Sequence, residues 1–101
     1  MLNILSIISL VIDLMDTLRN MAVRLYHLRT HRGLSQRETA DLLGVERSTY
    51  TKYESGKHAP SFETLKKLRE LFGVSYDDLL EPQLTEEEKA DYEMFRVKSK
   101  K

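Results

Sequence analysis

Cysteine is absent from the 101 residues, which excludes disulfides and thiolate metal sites and suits a reducing cytoplasm. Net charge is absent as well, because sixteen Lys and Arg balance sixteen Asp and Glu. With only four glycines the chain has no phosphate-cradling glycine loop, and it has no nucleophile elbow. It therefore reads as a non-enzyme that takes no cofactor. An apolar run long enough to cross a bilayer is also missing. The acid-free stretch at the N-terminus ends at Asp13, short of the roughly twenty apolar residues a span needs. No basic residue precedes that stretch, as a secretory signal would require. The length allows one domain with a modest core.

What is present is first a charge asymmetry that the zero total conceals. Residues 22–60 hold seven Lys/Arg against four Asp/Glu, whereas residues 61–101 hold eight against ten. The basic surplus coincides with the most patterned run, LSQRETADLLGVERSTYTKYESG, Leu34 to Gly56. Ser35 stands three residues before Glu38, the spacing of a capping box. Ala40 and Leu43 then share one helical face, with Arg37 and Asp41 opposite. Gly44 follows where a left-handed cap is needed, and Val45 is placed to fill the space beneath the turn. In the second helix Arg47, Ser48, Thr51 and Lys52 share one face, while Tyr50 and Tyr53 point into the body, and Gly56 stops it. Two short helices joined by a tight turn, the second bearing basic and hydroxyl residues, have the layout of a motif that lays a helix in the DNA major groove.

The flanks extend the pattern. Met21, Leu25 and Leu28 form a helical stripe ended by Gly33. Ser61 is placed to cap a helix carrying Phe62, Leu65, Leu68 and Leu71 and stopped by Gly73. Ser75 and Asp78 form another capping box before Leu79 and Leu80, and Pro82 closes that helix. From Met21 to Glu81 the chain reads as five helices. With LRTHRGLSQ, Ala40, Gly44, ESGKHAPS and LKKLRELFGVSYDDLL, it resembles the lambda-repressor-like Cro/CI family, also called the xenobiotic-response-element-like helix-turn-helix family, over about sixty residues.

The resemblance implies an all-α, five-helix DNA-binding domain, to which the residue pattern adds helical extensions at both ends, and it implies roles by position. Arg47, Ser48, Thr51 and Lys52 fall where base edges are read; Arg47 is suited to O6 and N7 of guanine. Gln36 falls where the family binds a phosphate and braces the recognition helix. Arg37 is either a phosphate contact or solvated, and Thr49 either a phosphate contact or a packing residue. Ser55 and Lys57 fall where the family touches the DNA backbone, which positions without specifying. Glu54 matches a glutamate that pairs with an arginine, here Arg29. Two residues depart from the pattern. Thr39 replaces a larger aliphatic residue, which predicts looser packing. Glu46 replaces a better N-cap, though its charge suits the helix dipole. His27 and His31 lie four apart, the spacing of a metal pair, but no third ligand is near in sequence and no metal site is expected.

The ends stand outside the resemblance. Ile4, Ile7, Val11, Leu14, Leu18, Met21, Leu25 and Leu28 recur in steps of three and four, in phase with the first domain helix. The extra apolar residues Leu5, Ile8, Leu10, Ile12 and Met15 make this face too broad for a simple zipper. A helix packed on its own domain or on a partner subunit fits better; a start at Met21 is the other reading. After Pro82, Thr85 and Glu88 are placed to cap a helix with Tyr92 and Phe95 on one side, docked on the domain or on a second subunit, ahead of a solvated tail from Lys98 to Lys101. The chain thus divides into an apolar extension (1–20), a DNA-binding domain (21–82) and a C-terminal helix with a basic tail (83–101). The function implied is a cytoplasmic transcriptional regulator that binds double-stranded DNA as a homodimer, a repressor on a palindromic operator. The alternative is an antitoxin that binds its own operator and a toxin protein.

Overall fold

The computed structural model describes the backbone of residues 3–80 and 83–99 and the side chains of 3–80 and 83–94. These residues form six helices: α1 (Ile4–His31), α2 (Gln36–Leu43), α3 (Arg47–Ser55), α4 (Phe62–Phe72), α5 (Tyr76–Leu80) and α6 (Glu86–Ser99). Among the described residues there is no strand. The closure by Pro82, the Phe95 side chain and the last two lysines lie outside them.

Local chemistry sets most helix starts. Asn3 caps α1 by accepting from the Ser6 amide at 2.8 Å. Reciprocal capping boxes, each satisfying two amides that the first turn leaves unpaired, open α2 through Ser35 and Glu38, α5 through Ser75 and Asp78 and α6 through Thr85 and Glu88. Ser61 caps α4 by accepting from the Thr64 amide.

The core gathers Met21 and Leu25 of α1, Ala40 and Leu43 of α2, Tyr50 and Tyr53 of α3, Leu68 and Phe72 of α4 and Leu79 of α5. Each fully buried leucine contributes roughly 1.5–3 kcal/mol of transfer free energy. Helix α1 packs against α3, α5 and α6, and α2 packs against α3 and α4. The long first helix is therefore the scaffold on which the recognition elements sit.

Three features of the sequence acquire their setting only in three dimensions. Phe62 is 89% exposed, because the inner face of α4 runs through Thr64, Leu68 and Phe72 and Phe62 lies about 120° around the helix from Leu68. Thr39 is fully buried, and its hydroxyl donates to the Ser35 carbonyl at 2.9 Å, so the polar group of this small side chain is satisfied internally. The N-terminal segment does not fold back onto its own domain. Helix α1 runs unbroken from Ile4 to His31, with Ile4, Ile7, Val11 and Leu14 exposed and burial beginning at Met21. Among the described residues no helix is long and apolar enough to cross a membrane.

Candidate nucleic-acid interface

The turn between α2 and α3 is built by hydrogen bonds that only a left-handed residue permits. Gly44 has φ of 71°. Its amide donates to Asp41 O at 3.1 Å, and the Val45 amide donates to Ala40 O at 3.0 Å. Both are the reverse bonds of a Schellman ending, which redirects the chain within two residues. Glu46 follows in an extended conformation with no side-chain cap bond, leaving its carboxylate near the positive end of the α3 dipole.

Helix α3 divides cleanly by face. Tyr50, Tyr53 and Glu54 are buried. Arg47, Ser48, Thr51 and Lys52 are exposed and, with Ser55 and Lys57, line one shallow groove. Three of the polar residues singled out in the sequence stand elsewhere: Thr49 is half-buried beside the turn, Gln36 is half-buried at the start of α2, and Arg37 is exposed on α2. The groove holds three cationic side chains and no carboxylate.

A buried network fixes the angle at which this face is presented. Arg29 of α1 donates to Glu54 of α3 through Nε at 2.6 Å and Nη2 at 3.0 Å, a two-pronged contact. Its Nη1 donates to Leu34 O at 2.7 Å. Gln36 of α2 donates from Nε2 to the same carboxylate at 3.1 Å. Because a carboxylate only accepts, that bond orients the amide and turns Gln36 Oε1 outward. The Thr51 hydroxyl lies 3.1 Å from Gln36 Oε1 and 2.9 Å from Arg47 O. Three helices thus meet at Glu54, whose second-turn neighbours carry the exposed groups. Burial opposes the Arg29 charge, yet the hydrogen bonds and charge of Glu54 outweigh it and raise the guanidinium above its ordinary pKa. Burial, followed by the Glu54 charge, raises the Tyr50 hydroxyl, which stays neutral at physiological pH. At the far end of α3, Gly56 (φ 76°) turns the chain beside α1, where an added Cβ would stand 3.8 Å from the Leu18 carbonyl oxygen and the Arg19 Cα.

Two constellations were invisible in the sequence. Arg24 is buried and donates to Glu88 (3.1 Å), Leu79 O (3.2 Å) and Gln83 O (3.0 Å), tying α1 to α5 and α6. Burial opposes the Glu88 charge, but the Thr85 amide and Arg24 outweigh it and hold its carboxyl below the usual range. The acidic run therefore supplies a fastening as well as a helix start. The second constellation revises the reading of His27 and His31: Asp91 Oδ2 lies 2.6 Å from His27 Nδ1 and 2.9 Å from His31 Nε2. Hydrogen bonds from His31 and His27 hold the Asp91 carboxyl below its ordinary range. The partners missing from the local sequence come from α6, about sixty residues away.

Comparison with known proteins agrees with this geometry. The family described as helix-turn-helix matches residues 25–79. The SPbeta prophage-derived uncharacterized HTH-type transcriptional regulator YonR of Bacillus subtilis (strain 168) is 51% identical over 57 residues, covering 56% of this chain and 53% of that protein. The HTH-type transcriptional regulator AnsR of the same organism is 49% identical over 57 residues, covering 56% and 49%. The cryptic phage CTXphi transcriptional repressor RstR of Vibrio cholerae is 42% identical over 53 residues, covering 52% and 48%. The chain spans about half the length of these curated relatives. No solved structure gives a significant match.

Proposed function

Since the chain belongs to the helix-turn-helix family, we propose that it is a non-enzymatic, sequence-specific DNA-binding transcription regulator, acting as a dimeric repressor on a palindromic operator. The observation that carries this reading is the exposed, acid-free face of Arg47, Ser48, Thr51 and Lys52 on a helix locked through Glu54 to two others. Arg47 and Lys52 supply donors for guanine O6 and N7, and Ser48 and Thr51 supply short hydroxyl and methyl contacts. Gln36, with one amide hydrogen left after its bond to Glu54, contacts a phosphate beside the α2 N-terminus. Arg37, Thr49, Ser55 and Lys57 contact the backbone on either side.

The exposed first half of α1 supports the dimer. Residues Ile4 to Met15 present apolar side chains that the described residues leave exposed, and patches of that kind mark interaction surfaces. The occupant is a second copy, because the stripe continues in register into Met21 and Leu25 of the core, so pairing there joins two domains rigidly. Two domains held this way read half-sites about 34–36 Å apart or a multiple of it. A toxin seated on the same helix is the antitoxin reading; co-purification of an unlike chain with the full-length protein would favour it.

The test is selection of bound sites from random duplex DNA, followed by titration at several salt concentrations. The expected result is an inverted-repeat motif bound by two chains, with affinity falling steeply as added salt lowers the free energy gained from releasing counterions off the phosphates. No enriched motif and no salt-sensitive binding would overturn the reading. A motif without a repeat, bound by one chain, would overturn the dimer alone.

A further inference from the structure

The junction of α1 and α6 brings together more ligand-bearing side chains than an ion pair needs. His27 and His31 stand one turn apart on α1, with ring centroids 4.1 Å apart and planes tilted by 40°. Glu87 and Asp91 stand one turn apart on α6. Asp91 Oδ2 faces both rings at 2.6 and 2.9 Å, and Glu87 Oε1 lies 3.7 Å from His31 Nε2. One donor atom from each of the four residues falls within 4.8 Å of every other. We propose that His27, His31, Glu87 and Asp91 form a binding site for a divalent transition-metal ion of the zinc class, which fastens α6 to α1.

The geometry accommodates such an ion with small movements. Four ligands at zinc bond lengths of about 2.0–2.2 Å stand roughly 3.3 Å from one another in a tetrahedron. The observed separations bracket that value, so an ion draws Glu87 inward and eases Asp91 off the two rings. The residues that must move have room to do so. The side chains of Glu87 and Asp91 are 68% and 33% exposed and that of His31 is 49% exposed, whereas His27 is 17% exposed. That exposure also provides the entry path. The donor set selects the ion: two imidazoles with two carboxylates suit zinc, cobalt, nickel or copper, and calcium or magnesium would want oxygen alone. Two ligands come from each helix, so binding is a cross-link, adjacent to the Arg24–Glu88 fastening and to the edge-on contact of Tyr26 with Tyr92. Neither the DNA-reading face nor the exposed half of α1 contributes a ligand.

The experiment is equilibrium dialysis of the full-length chain, free of any histidine tag, against zinc, with cobalt as a spectroscopic stand-in. The expected result is saturable uptake of one ion per chain at submicromolar to micromolar free zinc, and visible absorption from bound cobalt. His31→Ala should weaken uptake by at least on the order of tenfold, the loss that even an outer-shell partner's removal costs a metal site. Asp91→Asn should do the same, while His58→Ala, with a histidine outside the cluster, should leave uptake unchanged. His31 is exposed, so circular dichroism of its variant should match the parent; zinc should raise the melting temperature of the parent and not of the variant. Absence of stoichiometric uptake by the parent, or uptake that survives both His31→Ala and Asp91→Asn, would overturn the proposal.

Discussion

The buried contact between Arg29 and Glu54 gives the sharpest test of how the recognition helix is held. Glu54 is 1% exposed and accepts two bonds from Arg29 and one from Gln36. Arg29→Ala leaves that carboxylate with the Gln36 amide; Glu54→Ala leaves the guanidinium with the Leu34 carbonyl and the face of the Tyr26 ring, and with no anion. Removing one member of a buried pair costs about 3–5 kcal/mol, chiefly the desolvation of the charge left behind. Against a domain stability of roughly 5–15 kcal/mol, either change should remove a large share. The double variant strands no charge, so its cost should fall short of the summed singles by about 1–3 kcal/mol. Urea titration followed by far-UV circular dichroism gives all four stabilities, and an unchanged slope would show that the unfolded state is not the source. Additive single costs, or a single change costing under about 0.5 kcal/mol (the range of ordinary surface substitutions), would refute the idea that this pair clamps α3 to α1.

Three further outcomes follow from the same geometry. Arg47→Ala should weaken the preferred operator by about 1–3 kcal/mol and flatten preference at one base pair, whereas Gln36→Ala should weaken all sites evenly; a panel of single-base operator changes separates them, and an unchanged profile for Arg47→Ala removes it from the reading face. Gly44→Ala should destabilise by roughly 1–2 kcal/mol from its left-handed φ alone, because the nearest atom to an added Cβ is the flexible Lys67 ammonium at 3.7 Å; a neutral effect in urea titration would mean that the turn relaxes. Ser35→Ala should cost about 1 kcal/mol, and the Ser35 amide and hydroxyl hold the Glu38 carboxyl below its ordinary pKa. That depressed value means the Glu38 contribution is complete above its unfolded pKa of about 4.3 and fades as pH falls through the folded value, so the stability gap between parent and Glu38→Gln should close in acid.

What the sequence alone determined is what interactions of three or four residues can write. The capping boxes at Ser35, Ser75 and Thr85, the left-handed stop at Gly44 and the division of α3 into a tyrosine face and a basic face are set by neighbours one turn away. Residue spacing therefore carried them without any knowledge of the fold. The pairing of Arg29 with Glu54 came from likeness to a family, since nothing within a helical turn of either residue specifies a partner 25 positions off. Only the tertiary structure decided the rest. Arg24 meets Glu88 across 64 residues, and Asp91 joins His27 and His31, because α6 returns along α1 after four intervening helices. Packing also chose Phe72 over Phe62 for the core, a choice of one helical face over another made by what α4 packs against. The exposure of Ile4 to Met15 was likewise settled by where the domain sits against α1: the apolar stripe runs in phase throughout, but among the described residues full burial begins only at Met21, and a stripe has no means of recording how much of itself is covered.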